Sequence, residues 1–100
     1  MRIVAITACP TGIAHTYMAA DALSKAAHKM QIQIKVETQG AMGIENQLTA
    51  TDIAHADIVL IASDIEIEDQ RRFNQCHIKR VSIEQVLTDV NQVLIDCQKP

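Results

Sequence analysis

The spacing of apolar and polar positions changes several times along this chain, and each change marks an element. Arg2–Ala8 (RIVAITA) is rich in β-branched residues and is stopped by Cys9-Pro10, which predicts a short buried strand. Residues 14–30 switch to a helical period: Ala14, Met18, Ala22 and Ala26 recur every four positions, with Ala19, Leu23, Ala27 and Met30 beside them. Asp21, Lys25 and Lys29 fall on the other side, so the helix presents a small-residue seam able to lie close to a sheet. Residues 31–38 alternate strictly. Ile32, Ile34 and Val36 share one face, and Gln31, Gln33, Lys35 and Glu37 the other, which predicts an edge strand with a solvated side. Gly40 and Gly43 mark a loop. Thr49, with Asp52 three residues on, predicts a capped short helix to about His55. Residues 57–63 hold the run Ile58-Val59-Leu60-Ile61-Ala62, the signature of a central parallel strand buried on both faces. A polar connection follows, then a short strand at 77–81. Ser82 and Gln85 form a second capping box, ahead of a stripe of Ile83, Val86, Leu87, Val90 and Leu94.

The order is β-α-β-α-β-β-α, with a further helical turn if residues 66–73 coil. Strands separated by helix-length crossovers predict a three-layer α/β/α architecture on a four-stranded parallel sheet, expected order 2-1-3-4. Binding sites in such sheets lie beyond the carboxyl ends of the strands. That directs attention to residues 9–15, 38–43 and 63–73.

Composition narrows the class. One hundred residues suit one domain, read here as residues 1–100, and 48% apolar content supplies a genuine core. With one Tyr and one Phe, that core must be aliphatic. A net charge of −3 and the scarcity of aromatic residues argue against nucleic-acid binding. The longest apolar run is far below the roughly 18 residues needed to span a bilayer. Three cysteines at unrelated spacings, with no secretory leader in view, read as reduced cytosolic thiols rather than a disulfide framework.

The segment that carries chemistry is Cys9-Pro10-Thr11-Gly12-Ile13-Ala14-His15-Thr16. A cysteine at a strand end is followed by a short loop that opens into a helix. The free N–H groups and positive end of a helix favour an anion, and favour thiolate over thiol. Gly12 permits backbone conformations in which successive N–H groups converge as an anion nest, and Thr11 and Thr16 add hydroxyl donors. The phosphatase loop C-x5-R-[ST] has the same spacing, but here His15 stands at the arginine's place. Arginine is the bidentate clamp for a phosphoryl transition state. Without it, water attack on a thiophosphate is expected to be slow, leaving phosphocysteine free to pass its group to another acceptor. Spacing alone leaves a buried structural cysteine equally open. Neither Walker A nor G-x-G-x-x-G is present.

The stretch from Ile6 through Cys9-Pro10-Thr11-Gly12 to Ala20 closely resembles the fructose-type EIIB component of the bacterial phosphoenolpyruvate-dependent sugar phosphotransferase system (PTS). The likeness continues through Ile34-Lys35-Val36-Glu37-Thr38-Gln39-Gly40, Gly43, Asn46, Leu48-Thr49 and Ala56-Asp57, and ends near Arg72-Phe73. It implies a fold of four parallel strands with helices on both sides. It also implies that Cys9 accepts a phosphoryl group from an EIIA histidine and passes it to a sugar bound in membrane-embedded EIIC, with no cofactor or metal. The implied protein is cytoplasmic and meets the membrane through EIIC. Where the family usually shows a small residue and Gly-Lys after Arg72-Phe73, this chain has Asn74-Gln75-Cys76. It ends at Pro100 without an EIIA or EIIC segment, as a free-standing subunit or an excised domain would.

The remaining candidates surround this loop. Tyr17 is expected to pack over it. Gln39, Asp64, Arg71 and Arg72 are candidate rim or partner contacts. The acids of 64–69 would repel a phosphoryl group, so they are expected to face away or to meet a basic partner. Cys97 is expected to be inert or exposed. His28, His55 and His77 lack paired spacing, and no Cys/His pattern suits zinc. Two other functions fit a similar loop. One is a cysteine phosphatase or arsenate-reductase-like enzyme, disfavoured by the missing arginine and second redox cysteine. The other is an anion-binding regulatory module, which would tolerate Cys9→Ser.

Overall fold

The structure, a computed structural model, describes residues 1–9 and 14–99. The elements in chain order are β1 (Arg2–Ala8), α1 (Ala14–Lys29), β2 (Gln33–Gly40), β3 (Gly43–Glu45), α2 (Ala50–His55), β4 (Ile58–Ser63), a 3₁₀ turn (Gln70–Phe73), β5 (Ile78–Val81) and α3 (Ile83–Gln98). The sheet runs β3-β2-β1-β4-β5. The four longer strands are mutually parallel, in the expected 2-1-3-4 arrangement, and β3 adds a fifth, antiparallel strand outside β2.

That fifth strand is the main departure from the sequence reading. Gly40 pairs with Gly43 across Ala41-Met42, so the expected loop is a tight hairpin. Gly43 sits at φ +87°, a conformation open to glycine at little steric cost. The edge position assigned to β2 therefore belongs to β3. The boundaries of β2 also lie further along than expected, at 33–40.

β1 is central, paired on both sides, which explains its almost continuous burial from Ile3 to Ala8. Alternation sends its side chains to two faces. Ile3 and Ala5, with Val36, Ile58, Leu60 and Ala62, meet α1 and α3. Ala19, Leu23, Ala26 and Ala27 supply the α1 seam, and small side chains let that helix lie close to the sheet, whereas Ala14 and Met18 of the expected every-four row are exposed. Val4, Ile6 and Ala8, with Val59 and Ile61, face the other way under Leu48, Ile67, Phe73 and Ile53 of α2.

Both capping boxes form. The Thr49 hydroxyl accepts from the Asp52 N–H at 3.0 Å while the Asp52 carboxylate accepts from the Thr49 N–H at 2.8 Å. Ser82 and Gln85 repeat the exchange at 3.0 and 2.8 Å. α3 carries a non-helical residue, Asp89, at φ −150° and ψ 69°. The buried stripe keeps its helical spacing across it: Ile83, Val86, Val93, Leu94 and Cys97 face the sheet with Val90 beside them, whereas Leu87 is exposed. Among the described residues no helix is long and apolar enough to cross a membrane.

Candidate functional site

The carboxyl ends of β1, β2 and β4 draw level at one edge of the sheet. Ala8 lies in register with Gln39 on one side and Ser63 on the other. Cys9 follows directly, half-buried, packed against the α1/α3 side of the core. The reason it sits there is local: β1 ends where both its neighbours end, and α1 begins at Ala14, five residues after Cys9. Pro10, Thr11, Gly12 and Ile13, the central part of the expected phosphate-binding loop, lie outside the described residues.

Ala14 and His15 are exposed in the first turn of α1. Thr16 is 1% exposed. Its carbonyl accepts from the Thr7 hydroxyl at 3.1 Å, a buried bond that fastens the helix start to the end of β1. Among the described residues the Thr16 hydroxyl itself has no hydrogen-bond partner. An unpaired buried hydroxyl is uncommon and costly. The Tyr17 phenol bonds the Glu45 carboxylate on β3; the loop it is expected to pack over lies outside the described residues.

A shallow cavity of about 340 Å³ adjoins Cys9, lined also by Gln39, Gly40, Ala41, Ile65, Glu66 and Glu68. Glu66 and Glu68 were expected to turn away from the site or to meet a basic partner, yet both border the cavity. The segment after β4 is folded back by Ser63, whose hydroxyl donates to the Ile65 carbonyl at 2.6 Å and accepts from the Ile65 N–H at 3.0 Å. Gln39 holds it further along, accepting from the Glu68 N–H at 2.8 Å. Asp64 is exposed and does not border the cavity.

Beneath Gln39 lies a charged pair, Glu37, which alternation places on a solvated face, and Arg72, expected at the rim. Glu37 is completely buried. Its carboxylate accepts from Arg72 Nη1 at 2.7 Å and Nη2 at 2.5 Å, from the Leu48 N–H at 2.9 Å and from Gln39 Nε2 at 2.8 Å. Burial pushes the Glu37 carboxyl up. The bonds from Arg72, Leu48 and Gln39, with the Arg72 charge, outweigh that and hold it below its ordinary value of 4.5. Arg72, expected at the rim, is thus turned inward. Its Nε bonds the Asp69 carbonyl, and its guanidinium lies 4.6 Å from the centre of the Phe73 ring.

Arg71 remains exposed and borders a different groove of about 740 Å³, shared with Asn74, Gln75, Cys76 and His77. That groove lies between α2 and the segment before β5, and Cys9 does not line it. The divergent 74–76 segment therefore sits away from the cysteine. Cys97 is buried, not exposed, and burial pushes its thiol up to about 11. Among the described residues no group of three or more His, Cys, Asp or Glu side chains is placed to hold a metal.

The class of protein is thus an α/β domain with a cysteine at the carboxyl edge of its sheet, ahead of a helix N-terminus. Comparison with known proteins gives the family. The profile of the family described as PTS system, Lactose/Cellobiose specific IIB subunit, matches residues 4–96. The chain belongs to this PTS IIB family, and within it is of the fructose type. It is 47% identical over 93 residues to the PTS system fructose-like EIIB component 2 of Escherichia coli K12, covering 93% of this chain and 88% of that protein. It is 45% identical over 95 residues to the fructose-like PTS system EIIBC component of the same organism, covering 93% of this chain but 20% of that longer protein. A crystal structure of a domain from the fructose-specific IIABC component of Borrelia burgdorferi superimposes with a TM-score of 0.90 at 41% identity, covering 95% of this chain and 90% of that domain.

Proposed function

We propose that Cys9 is the phosphorylated residue of a single EIIB domain, residues 1–100, taking a phosphoryl group from an EIIA phosphohistidine. The Cys9 thiolate attacks phosphorus in line as the nitrogen–phosphorus bond breaks, and the histidine nitrogen keeps the electron pair. A hydroxyl of a fructose-like sugar held in EIIC then attacks the same phosphorus, the sulfur–phosphorus bond breaks, and the thiolate returns. The hydroxyl proton passes to solvent. Backbone N–H groups of residues 11–16 and the hydroxyls of Thr11 and Thr16 would neutralise the phosphoryl oxygens. The step calls for no metal or cofactor.

The observation that carries this reading is the place of Cys9: level with the ends of three strands, at the mouth of a cavity, five residues before a helix begins. Its occurrence in a fructose-type EIIB chain supplies the reaction class. A relative in which EIIB and EIIC are named as one chain supports EIIC as the acceptor side, and with it a cytoplasmic domain working at the membrane. The test is intact mass after incubation with phosphoenolpyruvate, enzyme I, HPr and a fructose-type EIIA. One added phosphoryl group, localised to Cys9 and absent in Cys9→Ser, is expected. No gain with an EIIA that phosphorylates another EIIB would overturn the reading.

A further inference from the structure

Gln39 is 7% exposed, yet it lines the Cys9 cavity and stands in register with Ala8, the residue before the cysteine. Its amide has only one orientation that satisfies its surroundings. The Glu37 carboxylate is an acceptor fixed by two bonds from Arg72, so the Gln39 nitrogen must face it, at 2.8 Å. Turning the amide over would set oxygen against carboxylate. With the nitrogen so placed, Oε1 points to the Glu68 N–H at 2.8 Å, and Nε2 also reaches the Glu68 carbonyl at 3.3 Å. One side chain thus pairs both backbone groups of Glu68, in a segment without helix or strand hydrogen bonding of its own. Ile65, Glu66 and Glu68 of that segment wall the cavity beside Cys9.

We propose that Gln39 is a positioning residue for phosphoryl transfer. It clamps the 64–69 segment as the wall of the Cys9 cavity, and the Arg72–Glu37 pair sets the orientation in which it does so. The inference rests on phosphoryl transfer at Cys9. A fixed wall keeps the cavity shape, and the Glu66 and Glu68 charges, constant as the phosphoryl group arrives and leaves. A misplacement of the order of an ångström at a reacting centre costs about a hundredfold in rate.

The test compares wild type with Gln39→Met, which keeps length and bulk but removes every side-chain hydrogen bond, in single-turnover transfer from phosphorylated EIIA. The expected result is a maximal rate lowered by about tenfold to a hundredfold, with the half-saturating EIIA concentration unchanged and unfolding still cooperative. Amide exchange is expected to show Glu68 protected in wild type and released in the variant. Glu68→Pro, which removes the N–H that Gln39 accepts, should lower the maximal rate in the same way and stands in if Gln39→Met does not fold. A folded variant with the wild-type maximal rate would overturn the proposal, as would an unprotected Glu68 amide in wild type. A shift confined to half-saturation would make Gln39 a docking residue instead. If wild type takes no phosphoryl group, the Cys9 reading falls and this one with it; if wild type is phosphorylated and the variant matches it, only this one falls.

Discussion

Arg72 grips Glu37 with both terminal nitrogens, at 2.7 and 2.5 Å, across 35 residues of sequence. The carboxylate is wholly buried, whereas the arginine side chain keeps 12% of its surface. The pair ties the 3₁₀ turn to β2, and through Leu48 and Gln39 it also holds the approach to α2 and the cavity wall. The bond is therefore structural in the first instance, although both residues lie within a few positions of the site.

Removing the arginine alone would strand a buried carboxylate. Arg72→Met is expected to cost about 3–5 kcal/mol, read as a lower urea midpoint at unchanged slope. Glu37→Gln combined with Arg72→Met removes both charges and keeps an acceptor for the Leu48 N–H. The double variant should recover half or more of the loss. If the double variant is no better than the single one, the cost comes from lost packing over Phe73 rather than from the orphaned charge.

The pair of Lys35 and Asp52, 2.7 Å apart, sets an acid-side dependence. The bond from Lys35, with that from the Thr49 N–H, holds the Asp52 carboxyl at about 2, below its ordinary 3.8. The folded value lies below the unfolded one, so the unfolded chain binds the proton more readily. The stabilisation is then complete above 3.8 and is lost as pH falls through about 2. Glu37 acts in the same direction below 4.5. Asp52→Asn should be less stable than wild type near neutral pH, with the gap closing across that acid window and narrowing with added salt. A gap that stays constant down to the lowest pH would mean the capping bond, not the charge, is what the variant loses.

Cys97 and Cys9 should separate under alkylation. Cys97 is buried and its thiol is pushed up to about 11, so little thiolate forms near neutral pH. Iodoacetamide on the folded protein is expected to spare Cys97 and to modify it only after denaturant is added. Peptide mass analysis reads the outcome directly. Early labelling of Cys97 would show that the end of α3 opens locally.

Which features were legible follows from how local their causes are. β1 and β4 declare themselves because strands buried on both faces are continuous apolar runs, and Thr49 and Ser82 because a cap and its partner lie three residues apart. β3 did not, because Gly43-Ile44-Glu45 is too short to carry a period, and its partner β2 supplies the reason it is a strand. Glu37 was assigned to solvent because alternation tells which face a residue takes, not what covers that face. The cover is Arg72, and nothing near Glu37 announces it. The same holds around Cys9. The expectation for Cys9 comes from its own motif, whereas the hold of Gln39 on Glu68 depends on a loop path 29 residues away.

Thr16 sets stability against function. Its hydroxyl is buried and, among the described residues, unpaired, an arrangement that lowers stability in the unphosphorylated protein. Thr16→Val keeps the shape and the carbonyl that accepts from Thr7. It should raise stability by about 1 kcal/mol, seen as a higher urea midpoint. If that hydroxyl is a donor to the phosphoryl group on Cys9, the same variant should accept phosphate from EIIA more slowly while being the more stable protein. A general packing defect would move both quantities down together, and an irrelevant hydroxyl would leave the rate unchanged. A gain in stability with a loss in transfer rate is the one combination that places the Thr16 hydroxyl at the phosphoryl group.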